Sequence, residues 1–330
     1  VIGHEAFIAA VEARPADDTP RLVYADWLDE HTDPRGEYLR AELRLSALSA
    51  GDPAAADLRR RLRALRTRID PDWLALFDQP RVLRANPTPF PAAWWGVDLP
   101  GIRETDRTYG RYRYDTLPPI SQSRVTGDFT WLPDKLRSIP PDDPSDPDEL
   151  RRIAAHAERL ARYVSERGLL LPPGFARWLT EPALHTRMPS CTDCWIEKPW
   201  GIVTAPVWEG GYFLPCHIDS QGCLEWYLYL TPDAQHAVVS SRSGLCPDWE
   251  IRTDTATPLE CDIKERGYPM PQVWYVAPSF ETFLYRWWVE NAIWYKLVNS
   301  RSRFHDPTPF TPGEQAYIDF YRQHPATPAS

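Results

Sequence analysis

The stretch Tyr212 to Leu230, YFLPCHIDSQGCLEWYLYL, constrains this chain more than any other. It reads as strand, turn, strand. A short apolar run (Tyr212, Phe213, Leu214) leads to Asp219, Ser220, Gln221 and Gly222, which carry turn chemistry. The second run alternates with period two. Leu224, Trp226, Leu228 and Leu230 point one way; Cys223, Glu225, Tyr227 and Tyr229 point the other. A one-residue slip would exchange the two faces, so the pairing register is strongly specified. The Leu and Trp side is expected to be core, under an amphipathic helix at Phe280 to Val298. The opposite side, Glu225, Tyr227 and Tyr229, is the expected partner-binding face. Tyr offers a stiff amphipathic surface, and Glu225 offers a charge for a basic partner. The competing reading is a central strand covered on both faces, with the tyrosines as ordinary core.

Around this hairpin the sequence predicts an α+β protein in four parts. Residues 1–79 read as all helical. Phe7, Ile8 and Val11 mark one face, and Thr19-Pro20 opens a second helix whose face is Leu22, Val23, Trp27 and Leu28. Pro34 and Gly36 punctuate the chain before a third helix with Leu39, Leu43 and Leu48, and a fourth carries Leu58, Leu62, Leu65 and Ile69. Residues 80–147 hold twelve prolines, which predicts an irregular connector. The aromatics there, among them Trp94, Trp95, Tyr109 and Tyr112, predict that it packs on a neighbour. An acidic hinge is expected at Pro140 to Pro147. Residues 148–299 form the α+β part: an amphipathic helix from Asp148 to Gly168, a short helix with Phe175, Trp178 and Leu179, the hairpin, and the helix capped by Ser279. Residues 300–330 end in a helix opened by Thr311-Pro312.

The residues EAFIAAVEARPADDTPRLVYADWLDEHTDPRGEYLRAELRL, within positions 4 to 80, closely resemble the bacterial repeat-companion domain, most specifically through DTPRLVYADWLDE followed by DPRGE. That resemblance implies an adaptor and no activity. From about Asp148 to Asn299 the order of segments resembles the SUKH superfamily: LPPGFARWL, GGYFLPCHIDSQGCLEWYLYL, HAVVSS, then VWYVAPSFETFLYRWWVENAIWYKL. Those are bacterial immunity proteins, with fungal relatives that regulate cell-wall synthesis. The resemblance implies a mixed sheet with packed helices and non-enzymatic binding of a protein toxin. The insert Gly244 to Pro271 departs from a compact member.

Little in the chain points to chemistry. Cys191 and Cys194 form a CTDC pair, and two thiolates at that spacing hold zinc only if two further ligands arrive. No second CxxC and no HxxxH supplies them, so the expectation is no metal and no cofactor. His217 and Asp219 with a cysteine would make a nucleophile, base and orienter, although a polar turn explains them as well. No GxSxG, phosphate loop, GxGxxG or HExxH occurs. The arginine run 59–68 reads as a solvated helix face, because acidic residues flank it and the chain carries a net charge of −9. That balance disfavours nucleic acid and anionic membranes as partners. With no basic leader segment in VIGHEAFIAAVEARP, no long apolar run and six cysteines, the expected location is the cytoplasm with reduced thiols. The sequence therefore leads to an expectation of a non-enzymatic protein-binding module, an immunity protein against a toxin that is itself basic. An adaptor without a toxin, and a Cys-dependent hydrolase or zinc enzyme, are the rivals.

Overall fold

The computed structural model describes residues 3–14, 17–48, 53–70, 73–74, 88–120, 125–133, 147–192, 194, 201–205, 210–232, 236–242, 244–245, 259–262 and 272–329. Residues 140–146 of the expected hinge and most of the Gly244 to Pro271 insert lie outside them. The protein is α+β. Its chain divides into two compact units, residues 1–89 with 119–123, and residues 90–118 with 124–330.

The first unit is helical: α1 (His4–Ala13), α2 (Thr19–Glu30), α3 (Pro34–Ala47) and α4 (Pro53–Arg66). The buried stripe of α2 is Arg21, Tyr24, Ala25 and Leu28, spaced i, i+3, i+4, i+7. This corrects the expected face: Leu22 and Val23 fall off the stripe and are 40% and 50% exposed. Arg21 is tolerated inside because Glu42 pairs with it at 3.4 Å. Tyr24 is the hub of the core. Its hydroxyl meets His4 Nδ1 at 2.6 Å and accepts the Trp73 indole N–H at 3.1 Å. Pro34 and Gly36 do not interrupt the chain. Asp33 caps α3 by accepting the Arg35 N–H, Pro34 occupies the first turn where no N–H is needed, and Gly36 lies inside the helix. A Cβ at Gly36 would fall 2.9 Å from the Ala25 carbonyl oxygen and against Asp29, so the glycine lets α3 approach α2.

The second unit is built on a six-stranded sheet. In chain order its members are β3 (Gly201–Ala205), β4 (Gly211–Ile218), β5 (Glu225–Leu230), β6 (His236–Ser241), β7 (Leu259–Asp262) and β8 (Val273–Ala277). In space they run β7-β3-β4-β5-β6-β8, antiparallel except for the parallel β3–β7 pair, so the sheet is mixed. The β4–β5 hairpin turns at Asp219–Gly222, where Gly222 takes φ +66° and its N–H reaches the Asp219 carbonyl at 2.9 Å. β4 extends through Pro215 rather than ending at Leu214. Pro215 has no N–H for the ladder, and the register shifts between Pro215 and His217. This bulge reverses the alternation. Phe213 faces the same side as Tyr229, whereas His217 faces the side of Trp226.

One sheet face is covered by α8 (Phe280–Leu297), with Phe283 tilted against Trp226 at 5.9 Å and Trp287 edge to face with it at 5.0 Å between ring centroids. Ser279 caps α8 by accepting the Thr282 N–H. Three helices precede the sheet in the chain: α5 (Pro147–Glu166), α6 (Pro173–Thr180) and α7 (Pro182–His185). Phe175 and Trp178 of α6 pack on Phe280. The last helix, α9 (Pro312–Gln323), starts with a full capping box between Thr311 and Glu314.

Residues 90–118 are not an irregular connector. They form β1 (Ala93–Gly96) and β2 (Gly110–Arg113), paired antiparallel, and a parallel bridge from Ala92 to Tyr275 ties them to β8. Trp94, Tyr112 and Tyr114 are buried there. Pairing partners from β8 and from the hairpin itself overrode the proline-rich local composition. These residues also complete a buried polar network. Arg103 binds the Glu290 carboxylate through both terminal nitrogens at 2.6 Å, and Glu290 further accepts from Trp94 Nε1 at 3.0 Å and the Tyr317 hydroxyl at 2.8 Å. Arg286 donates to the Tyr317 hydroxyl and to the Pro118 carbonyl. Burial works against a charge on Arg103, but the Glu290 carboxylate holds it protonated.

Candidate functional site

Glu225, Tyr227 and Tyr229 do not form an exposed face. Tyr227 and Tyr229 are 0% and 1% exposed. β5 is a central strand, and the face opposite α8 is covered too: Phe90 packs edge-on against Tyr229 at 5.1 Å and also against Phe213. The Tyr227 hydroxyl donates to Glu225 and accepts the Leu245 N–H at 2.9 Å. The alternation in sequence was correct, but it cannot separate a wet face from a covered one. The covering residues come from more than a hundred positions upstream and from the loop after β6.

The CTDC segment is brought to the turn of the hairpin. The Tyr109 hydroxyl sits at its centre, 3.0 Å from Thr192 Oγ1, 3.0 Å from Cys194 Sγ and 3.2 Å from Asp219 Oδ1. Backbone groups hold the loop: the Cys191 N–H donates to Asn291 of α8, the Cys194 N–H donates to Ser190 Oγ, and the Ser190 carbonyl accepts from Tyr295. Burial pushes the Cys191 thiol up, and pushes that of Cys194 up to about 11. Burial thus works against the thiolate form that a nucleophilic cysteine needs. Among the described residues, no three or more His, Cys, Asp or Glu side chains gather as a metal would require. Asp219 serves this loop and the Cys223 N–H, while His217 lies among Trp226, Phe283 and Trp287. The arrangement knits a loop to the sheet and to α8.

Sequence reasoning missed a groove of about 460 Å³ in the second unit. Trp95 of β1 and Trp274 of β8 form its walls, edge to face at 5.1 Å. Arg111 of β2 lies 5.7 Å from the Trp95 ring centroid and 5.4 Å from that of Trp274, and Arg242 lies 5.9 Å from Trp95. Arg107, Glu104 and Asp106 sit on the rim. Arg107 and Arg242 are exposed and make no ion pair among the described residues. Three arginines against two carboxylates make this a locally basic site on a chain whose net charge is −9. By contrast, the arginine run of α4 is spent internally: Arg60 pairs with Asp57, Arg61 with Glu37, and Arg66 donates to Tyr38. The signal for the groove in the sequence was the alternation of Arg111 and Arg113 with Tyr112 and Tyr114, but nothing local indicated that Trp274 would close the other side.

Comparison with known proteins gives no matching family model, no matching curated protein and no matching solved structure. No helix among the described residues is long and apolar enough to cross a membrane.

Proposed function

We propose that this chain is a non-enzymatic protein-binding module, and that its partner is a toxin it neutralises. The observation that carries the binding reading is the groove to which Arg107, Arg111 and Arg242 contribute, walled by Trp95 and Trp274, each only 7% exposed, because Arg is among the residues that most often supply the energy of a protein interface. Rigid indoles with cations held over them need little ordering on association. The immunity role rests on the resemblance of residues 148–299 to SUKH proteins, and the resemblance of the first unit to the repeat-companion domain supports an added adaptor function. The contact surface assigned here is the basic groove rather than Glu225 with its tyrosines, so the contacting part of the partner is acidic. No observation favours a Cys-dependent hydrolase: the thiols of Cys191, Cys194 and Cys216 are pushed up by burial.

The test is co-expression with the product of a toxin gene lying beside the gene for this chain. Protection of the host, together with a saturable complex of the two purified proteins, is the expected result. A stable complex without protection would assign the adaptor role instead. No complex with any neighbouring gene product, combined with turnover of an ester or peptide substrate that is lost on Cys194→Ser, would overturn the reading.

A further inference from the structure

The outer edge of β2 is already occupied by a strand from the same chain. The Arg113 N–H donates to the Thr327 carbonyl at 2.8 Å, and the Ala329 N–H donates to the Arg111 carbonyl at 2.9 Å. Pro328 stands opposite Tyr112 in antiparallel register. The Arg111 guanidinium clasps the Ala329 carbonyl at 3.2 to 3.3 Å, and the Thr327 N–H reaches Thr116 Oγ1. All of this is backbone recognition. Thr327 and Pro328 are exposed and Ala329 is half-buried, so the segment brings almost no side-chain burial. Each of these hydrogen bonds replaces one to water, and its net worth is comparable to the entropy of fixing one residue. A strand held in this way is displaceable. Trp95 of β1, which pairs with Arg111 from the other side, forms the groove wall, and Pro328 and Ala329 lie on the groove rim.

We infer that the β2 edge and the adjoining Trp95–Trp274 groove form one peptide-binding site, which takes an extended acidic segment of a protein partner by strand addition, and that Thr327–Ala329 occupies the first part of this site in cis. The register gives the direction. In this register the first residue after Ala329 in an incoming strand falls opposite Gly110 and the second opposite Tyr109, both of which line the groove together with Arg107, Arg111 and Arg242. Side chains at these positions meet three guanidinium groups and the carboxylates of Glu104 and Asp106, so acidic residues are favoured over basic ones. The inference rests on the protein-binding reading for the nature of the natural occupant; the cis contact and the edge do not depend on it.

The test uses the full chain and two fluorescein-labelled peptides, ATPAEE and ATPAKK, whose first four residues copy positions 326–329. Ala329→Pro removes the N–H donated to Arg111 and releases the cis strand. Anisotropy titrations should show ATPAEE binding the Ala329→Pro chain at least tenfold more tightly than the unaltered chain, and at least fivefold more tightly than ATPAKK binds it. Adding Arg107→Glu and Arg242→Glu should abolish that preference. Hydrogen exchange gives a second reading that does not depend on the label. The Arg113 amide should exchange faster in Ala329→Pro and slow again when ATPAEE is added. Equal affinity of the two chains, equal affinity of the two peptides, or saturable binding of oligo(dT) with none of either peptide would overturn the inference. A partner complex that forms normally with Arg107→Glu/Arg242→Glu would overturn this site and leave the protein-binding reading standing. ATPAEE binding as described with no protein partner would support the site while that reading fails.

Discussion

Replacing Glu290 with alanine tests whether the second unit depends on its buried charge network. The Glu290 side chain is 1% exposed and that of Arg103 2%, so neither charge can turn to water. Glu290 accepts two bonds from Arg103, one from Trp94 and one from Tyr317. Its removal leaves the Arg103 guanidinium with only the Tyr321 hydroxyl and the Val97 carbonyl. Breaking one side of a buried pair costs about 3–5 kcal/mol, because the remaining charge stays desolvated. The stranded Trp94 and Tyr317 donors add about 1 kcal/mol or more each where no water reaches them. These effects share partners and are not additive, so the expected loss is about 4–6 kcal/mol. That is a large fraction of the roughly 5–15 kcal/mol that stabilises a domain, and corresponds to a melting temperature lower by about 10–20 °C for a unit of this size. Urea unfolding followed by near-UV circular dichroism is the appropriate assay, because every tryptophan except Trp27 and Trp73 lies beyond residue 90. The double variant Arg103→Met/Glu290→Leu should recover more than half of the loss, since it removes both charges together. A loss below about 1 kcal/mol for Glu290→Ala, or a double variant worse than the single one, would refute the reasoning.

Three further outcomes are expected. Glu281 of α8 is held above the usual carboxylate range, chiefly by burial, so the folded state binds its proton more tightly than the unfolded state. Its contribution is fully present below the unfolded pKa and is lost as pH rises through the folded value, so Glu281→Gln should stabilise the chain at pH 7–8 and flatten the alkaline side of its stability profile; an unchanged profile in thermal melts from pH 4 to 8 would count against this. Gly36→Ala should destabilise the first unit by about 1–3 kcal/mol, read by far-UV circular dichroism in urea, because its methyl group meets the Ala25 carbonyl oxygen at 2.9 Å; a neutral result would mean that α2 and α3 separate freely. Among the described cysteines, exposed Cys223 should be alkylated by iodoacetamide well before Cys191, Cys194 and Cys216, as followed by peptide mass mapping at pH 7.5; faster labelling of Cys194 would show that its thiol is not held protonated.

Features that depend on neighbours a few residues apart were legible in the chain alone. The four helices of the first unit, the Ser279 and Thr311 caps, the Asp219–Gly222 turn and the alternation of β5 follow from spacing, capping and turn chemistry, and all are present. Features that depend on a distant packing partner were not legible there. Tyr227 and Tyr229 became core because Phe90 packs on Tyr229 and Leu245 from the loop after β6 meets Tyr227, and Leu22 and Val23 were left outside because Arg21, neutralised by Glu42, took their place in the stripe. Pro215 was absorbed by a bulge that turned His217 toward α8. The proline-rich segment acquired strands because β8 offered an edge and Glu290 a carboxylate, 180 or more residues away in the chain. The groove exists only where Trp95, Arg111, Arg242 and Trp274 converge. Periodicity specifies which side chains share a face, whereas what covers that face is set by contacts of long sequence separation, which no local pattern encodes.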